Sequence, residues 1–373
     1  MNYVLFFPGL DEVHGDKDVG MLPKELAKNG YKVVMVSDRK RRLDRVEGVK
    51  LEYLDAEGLA LYLKFIIFLI KNRKKIEFLQ LFHFSKMSSF LAFVFKALNR
   101  KGIVYLKMDA DQRNLKAWKQ RTQNPLRKLL YKLSMKGFDL ITVETKEMYG
   151  ELEKLWPFVK GKLNYLPNAI SFEKEDDDSN IEILPQFLFV GRVGAYQKAT
   201  DNLIEAFIKI ADKTEYTLKL VGPIEEEFLK WWETKKTSIK ETIVKKIEFC
   251  GNVNDKKILK NIYKSSAIFV LPSRWEGASL ALIEAAGEGN FIIATKVGSA
   301  EEIINKTGFG TLVRVDDVDE LAQAMLRASN ELKIDLRQER KKARDIIRTE
   351  YNYRELTKQL VSYLKNQKLN KEK

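Results

Sequence analysis

AIFVLPSRWEGASLALIEAAGEGNFIIATKVG, residues 267–298, reads as a strand, a loop, a helix and a second strand. AIFVLPS and NFIIATKVG are apolar runs without polar alternation, the pattern of strands buried on both faces. Strand, crossover helix and strand make the repeating unit of a parallel sheet. Residues 274–279 then form the loop at the carboxyl edge of the first strand, where open α/β sheets bind small molecules. The helix is expected to begin near Ala278, with its free backbone N–H groups and the positive end of its dipole facing that edge. Glu276 stands just before Gly277, and Glu284 rides the helix about two turns later. A carboxylate accepts two hydrogen bonds from a vicinal diol, so each glutamate suits one sugar-like ring. Two such rings flanking a diphosphate describe a nucleotide-sugar.

The same alternation extends in both directions. Upstream lie the strand PQFLFVGRV (185–193), the helix TDNLIEAFIKIAD (200–212), the strand YTLKLVG (216–222), a helix through FLKWWET, the strand KIEFCG (246–251) and the helix DKKILKNIYKSS (255–266). GTLVRV (310–315) follows downstream. In the first half, strands are read at YVLFF (3–7), YKVVMVS (31–37), IEFLQLFHF (76–84), IVYLKM (103–108) and FDLITVET (138–145), closing on KLNYLPNAI (162–170). Helical periodicity fills the gaps at MLPKELAKNG (21–30), SSFLAFVFKAL (88–98) and LRKLLYKLSMKG (126–137). SFEKEDDDSN (171–180) is acidic and reads as a linker. A chain of 373 residues exceeds one core's usual size. Two parallel-sheet α/β domains are therefore expected: residues 1–169 joined by a C-terminal helix (350–373), and residues 170–349.

Arg192 and Lys198, in FVGRVGAYQKATDNLIEAF, follow a strand end and precede a helix. Two cations there would hold a diphosphate and neutralise charge as it leaves.

These stretches carry a resemblance. LPSRWEGASLALIEAAGEGNFIIATKVGSAEEII resembles the donor-binding segment of the retaining glycosyltransferases of family 4, with their E-x7-E motif. FVGRVGAYQKATDNLIEAF is similar to that family's Gly-Arg…Lys phosphate clamp, and Asn168 in LPNAI matches its hinge strand, with Ala169 in place of a glycine. The resemblance implies the GT-B fold, two Rossmann-like domains facing across a cleft with the final helix crossing back to the first. It implies that Glu284 binds the nucleotide ribose and Glu276 the donor sugar. Arg192 and Lys198 would bind the diphosphate, and the amides of Gly277, Ala278 and Ser279 would face sugar and diphosphate. Gly222 and the segment holding Asn252 and Val253 would flank the base. Apart from the resemblance, Gly20 in DKDVG is read as a loop glycine approaching the phosphates. Where the family commonly carries a histidine near the transferred sugar, this chain has Lys107 or Asp109, depending on alignment. His83 is read either as a packed strand residue or as an acceptor-side residue.

The expected activity is transfer of a hexosyl group, with retention and without a metal, from a nucleotide-diphosphate sugar of UDP or GDP type to a glycan or lipid-linked acceptor. No cofactor is expected. A nucleotide-sugar epimerase or hydrolase on this fold, or a non-enzymatic polyanion-binding protein, are the alternatives. Two histidines and one cysteine, Cys250, leave little for a zinc site or a disulfide. Asp109–Ala–Asp111 copies a metal-binding triplet of a different fold and is read as no metal site.

Charge is unevenly placed. Residues 1–170 hold 32 Lys/Arg against 19 Asp/Glu, whereas the remainder holds 34 against 33. Residues 61–136 alone carry 18 basic and 3 acidic side chains, mixed with apolar bulk. That combination suits an anionic membrane surface. Nucleic acid is the competing explanation, since a basic patch does not name its polyanion, but the expected sugar acceptor argues against it and no nucleic acid is expected. LALYLKFIIFLI, interrupted by Lys64, is too short to span a bilayer. The N-terminal run has no basic region before its apolar residues and is read as a first strand, not a signal peptide. A cytoplasmic chain, peripheral at the inner membrane face, is the expectation.

Overall fold

The computed structural model describes residues 2–39, 43–172, 181–332 and 337–372. The chain divides into two compact units, Met1–Ile170 with Tyr351–Lys373, and Ser171–Glu350. From residue 173 to 180 the acidic stretch read as a linker lies outside the described residues.

In the first unit, β1 (Asn2–Phe6), α1 (Asp18–Lys28), β2 (Lys32–Ser37), β3 (Val49–Tyr53), α2 (Gly58–Asn72), β4 (Phe78–Phe82) and α3 (Lys86–Leu98) lead into β5 (Ile103–Met108). There follow α4 (Gln112–Arg121), α5 (Pro125–Met135), β6 (Leu140–Val143), α6 (Lys146–Leu155) and β7 (Leu163–Tyr165). The strands form one parallel sheet in the order β3-β2-β1-β4-β5-β6-β7. The central strands are buried on both faces, as their apolar runs require. β3 was not expected: VKLEY is an edge strand with no fully buried residue, so its charges are tolerated and its pattern is faint. α1 starts three residues before the expected segment and carries Pro23 inside it.

The second unit runs β8 (Leu184–Val190), α7 (Thr200–Ile210), β9 (Thr217–Val221), α8 (Glu226–Lys236), α9 (Glu241–Val244), β10 (Ile247–Gly251), α10 (Lys256–Ser265) and β11 (Ser266–Leu271). It continues with α11 (Leu280–Gly287), β12 (Phe291–Thr295), α12 (Ala300–Thr307), β13 (Gly310–Val313), α13 (Val318–Glu331) and α14 (Arg337–Glu350). Its parallel sheet has the order β10-β9-β8-β11-β12-β13.

The last helix, α15 (Tyr353–Glu372), returns to the first unit. Its Leu356, Leu360 and Leu364 are fully buried in the core that α1 and the sheet share, and Tyr363 donates to the Tyr165 carbonyl at 3.0 Å. The opposite face of that sheet is packed by α2, α3, α4, α5 and α6 through Phe65, Phe95, Trp118, Met135 and Leu152.

Each sheet reverses its strand order once, between β1 and β4 in the first unit and between β8 and β11 in the second. At such a switch point the flanking helices leave on opposite faces, and a crevice opens outside the carboxyl ends.

Candidate active site

The second sheet's switch point is flanked by the loop after β8, which holds Arg192 and Lys198, and the loop after β11, which holds Glu276. These loops are tied together. The Arg274 amide donates to the Gln197 carbonyl at 2.8 Å, the Arg274 guanidinium to the Tyr196 carbonyl at 2.6 Å, and the Gln197 amide group to the Trp275 carbonyl at 2.9 Å. Lys198 Nζ pairs with Glu276 Oε1 at 2.6 Å, and the Ser273 hydroxyl donates to the same oxygen at 2.7 Å. Glu276 is only 6% exposed, so its negative charge is held in place by Lys198 and Ser273. Oε2 receives only a 3.5 Å approach from Gln197. Arg192 is exposed and reaches Gln197 at 3.4 Å.

Two helices start at this edge without a side-chain cap. α7 follows Ala199, a non-glycine residue at φ +48°, and α11 follows Ser279. α11 begins at Leu280, two residues later than the sequence suggested, so Ala278 and Ser279 belong to the loop. Uncapped first turns present N–H donors and the positive end of the helix dipole, the setting in which anions bind.

Glu284 lies half-buried in α11, and burial raises its pKa above the ordinary carboxylate value. The Tyr263 hydroxyl donates to Oε2 at 2.9 Å and opposes that rise. Among the described residues no hydrogen bond or ion pair links Glu284 to Arg192, Lys198 or Glu276.

Glycines let the strand ends meet. A Cβ on Gly222, after β9, would sit 1.9 Å from the Gly191 carbonyl oxygen, and one on Gly298, after β12, would sit 2.0 Å from the Gly277 oxygen. Gly222 also has φ +136° and donates to the Gly251 carbonyl at 2.8 Å. Asn252 and Val253 follow β10 at this edge, with the Asn252 amide on Asn254 at 2.7 Å. Gly222→Ala is expected to destabilise the protein by about 2–4 kcal/mol, combining backbone strain with overpacking. An unchanged urea midpoint would show that the strand ends separate freely.

In the first unit, Lys107 and Asp109 part company. Lys107 is 1% exposed, and its amine pairs with Asp18 at 3.0 Å and with Glu144, and donates to Asn168 Oδ1 at 3.0 Å. It is a buried, partnered cation. Asp109 is exposed at the end of β5. Burial pushes the Glu144 carboxyl up to about 8, against the pull of Lys107. His83 is exposed just after β4 beside that sheet's own switch point, at φ +54°; its amide donates to the Lys107 carbonyl at 3.0 Å. Non-glycine residues in that conformation concentrate at functional sites. Gly20 is buried inside α1, where a Cβ would lie 2.4 Å from the Gly15 carbonyl oxygen, so its smallness serves helix packing.

The sequence reading did not find Tyr263, Ser273 or Gln197 as partners of the acids, nor the set around Lys107. Gln197 stands next to Lys198 and Ser273 ends the apolar run, but Tyr263 sits on another helix with no local signal. The Asp111 carboxylate accepts from the Arg113 and Asn114 amides and caps α4. Among the described residues no group of three or more His, Cys, Asp or Glu is placed to hold a metal ion.

Residues 184–331 match the family model for glycosyl transferases group 1. The lipopolysaccharide core biosynthesis mannosyltransferase LpcC of Rhizobium leguminosarum bv. viciae is 30% identical over 137 residues, 36% of this chain and 38% of that one. An Escherichia coli UDP-Gal:alpha-D-GlcNAc-diphosphoundecaprenol alpha-1,3-galactosyltransferase is 32% identical over 87 residues, 23% of this chain and 22% of that one. The chain spans less than half the length of these curated relatives. Two solved structures are similar over nearly the whole length. A glycosyltransferase from Rickettsia africae has a TM-score of 0.74 at 15% identity, covering 98% of each chain. Anabaena HepE in complex with UDP has a TM-score of 0.71 at 13% identity, covering 98% of this chain and 100% of that one. Residues 184–331 thus carry the glycosyl transferases group 1 pattern, in a chain that has the fold of the GT-B glycosyltransferases.

Proposed function

We propose that this protein is a retaining, metal-independent glycosyltransferase of family 4, moving a hexosyl group from a UDP- or GDP-type sugar to the hydroxyl of a glycan or lipid-linked acceptor at the inner face of the cell membrane. The observation that carries the reading is the convergence at one switch point of Lys198, Glu276, the exposed Arg192 and two uncapped helix starts. Cations and open N–H donors ask for a diphosphate, and a buried carboxylate beside them asks for hydroxyls. Glu276 would hold the donor sugar with the amides of Gly277, Ala278 and Ser279. Glu284 would hold the ribose, and Gly222, Asn252 and Val253 would flank the base. His83 and Asp109 are the residues proposed to meet the acceptor. The relatives named for lipopolysaccharide core and diphosphoundecaprenol substrates support an acceptor of that class.

In the proposed step, the acceptor oxygen bonds to the anomeric carbon on the face from which the diphosphate departs. The carbon–phosphate-oxygen bond breaks, the acceptor proton passes to a diphosphate oxygen, and Arg192 and Lys198 stabilise the charge on the leaving group. The role needs no cofactor, because the nucleotide-sugar is itself the co-substrate.

Thermal stabilisation by a panel of nucleoside diphosphates tests the reading. A nucleotide at 100 times its dissociation constant adds about 2.7 kcal/mol. Glu284→Gln is expected to abolish that shift. If no nucleotide stabilises the wild-type chain, the reading fails.

The Tyr263–Glu284 bond gives a pH test with a definite sign. Only the ionised Glu284 accepts both hydroxyls of a diol, so nucleotide affinity should fall as pH drops through the Glu284 pKa. Tyr263 holds that pKa down. In Tyr263→Phe the midpoint should therefore move to higher pH, with affinity at neutral pH about tenfold lower, the scale of one hydrogen bond to a charged group. An unmoved midpoint in a titration calorimetry series would detach Tyr263 from binding.

A further inference from the structure

We propose that the outward face of α2, α3 and α5 lies flat on an anionic lipid bilayer. The three helices are neighbours on one face of the first sheet, α2 beside α3 and α3 beside α5. α2 is apolar almost all round. Leu61, Phe65, Phe68 and Leu69 fill the core, while Leu59, Leu63, Ile67 and Ile70 make a second row that is 42–70% exposed. A helix with apolar residues on every side belongs inside a protein or against lipid, and here one side is left open. Lys64, the one charge within the row's length, turns away: its amine donates to the Leu54 and Asp55 carbonyls at 2.8 and 3.1 Å.

α5 makes the same point more strongly. Of its eleven residues only Met135 is buried, with Tyr131 half-buried against Phe84 and Trp156. Leu126, Leu129, Leu130 and Leu133 are 42–66% exposed. A helix of this length is marginal in water without a packed apolar face, so four open leucines call for a surface to cover them. Phe90 and Phe93 of α3, the helix that neighbours both α2 and α5, are 52% and 44% exposed.

Charge selects the occupant. Residues 61–136 carry 18 basic side chains against 3 acidic ones, and Arg127, Lys128 and Lys132 of α5 are interleaved with its exposed leucines. Apolar rows rimmed by cations match an interface of acyl chains beneath anionic headgroups, where each cation adds about a fivefold gain in partitioning. A second copy of the same face would set cations against cations. Nucleic acid would answer the charge and leave the leucines and phenylalanines in water. Among the described residues no helix is long and apolar enough to cross a membrane, so the face lies on the bilayer and does not span it.

The inference gives a place to the lipid-linked acceptor of the proposed reaction and rests on that reading for its purpose only, since adhesion requires neither donor nor transfer. The test is co-sedimentation of the full chain with vesicles of phosphatidylglycerol and phosphatidylethanolamine, and with phosphatidylcholine alone. Binding is expected to the anionic vesicles, at least tenfold weaker to the neutral ones, and reduced at least tenfold in Ile67→Asp/Leu130→Asp. Both positions are exposed, and the thermal midpoint of that variant should stay at the wild-type value. Lys198→Ala should sediment as the wild type does, which separates adhesion from chemistry. No binding to anionic vesicles, or undiminished binding by the double variant, overturns the proposal. So does single-stranded RNA binding tighter than vesicle binding and insensitive to the double substitution.

Discussion

Lys198→Ala is expected to lower turnover by two to three orders of magnitude while the chain stays folded. The reasoning combines two effects. Removing one preorganised electrostatic donor facing a leaving diphosphate costs on the order of 3 kcal/mol in the transition state. The same change leaves Glu276, 6% exposed, without the cation that sits 2.6 Å from its Oε1. The Ser273 hydroxyl still donates to that oxygen, so the loop should hold its path. The two contributions separate in a double-mutant cycle with Glu276→Gln. If Lys198 acts only as the partner of Glu276, the glutamine change alone accounts for the loss and adding Lys198→Ala does little more. If Lys198 also serves the diphosphate, Lys198→Ala is much the worse of the two single variants. Steady-state kinetics with the nucleotide-sugar identified by thermal shift decides the matter. Full activity in Lys198→Ala would remove the clamp from the proposed mechanism.

Lys107→Ala is the substitution expected to cost most in stability, about 3–5 kcal/mol, because it strands buried carboxylate charge. Lys107 is the cation shared by Asp18 and Glu144, from the start of α1 and the end of β6, and it also donates to Asn168 beyond β7. The loss should depend on pH with a set sign. Burial already pushes the Glu144 carboxyl up to about 8 against an ordinary value of 4.5, and without Lys107 it rises further. A carboxyl whose folded-state pKa is raised contributes its stability below the unfolded value and loses it as pH climbs toward the folded one. Relative to the wild type, the penalty should therefore be level below pH 8, where Glu144 is protonated in both folded forms, and deepen as pH climbs above 8. Pairing Lys107→Met with Glu144→Gln should restore much of the stability at neutral pH. Urea unfolding across that range measures both, and a penalty independent of pH would mean that Glu144 does not carry it.

How much of this was written locally is clear from single residues. β4, β5, β6 and β11 are buried on both faces, so their apolar runs were visible without a partner in sight. β3 escaped because an edge strand needs no such run: VKLEY borrows its conformation from β2. The start of α11 was placed too early because helix ends are weakly marked in sequence: Ser279 is the N-cap, extended at φ −70° and ψ 113°, and Leu280 is the first helical residue. Arg192, Lys198, Glu276 and Glu284 could be picked out by their position after strand ends. Their partners could not, since Lys198 and Glu276 are 78 positions apart, Tyr263 and Glu284 lie on different helices, and Lys107 and Glu144 are 37 apart. Long-range pairing is a property of the folded sheet, and one sequence holds no record of it.

The return of α15 to the first unit carries a consequence for how the molecule is made. Residues 171–350 separate the two pieces of that unit, so its core lacks Leu356, Leu360 and Leu364 until the ribosome has passed all of them. At ordinary elongation rates the wait is on the order of ten seconds or more. The emerging chain must spend that interval with one face of the first sheet covered by α1 but not yet by α15, a state in which chaperones would find it. The second unit has no such debt and can close on itself while the first is still waiting.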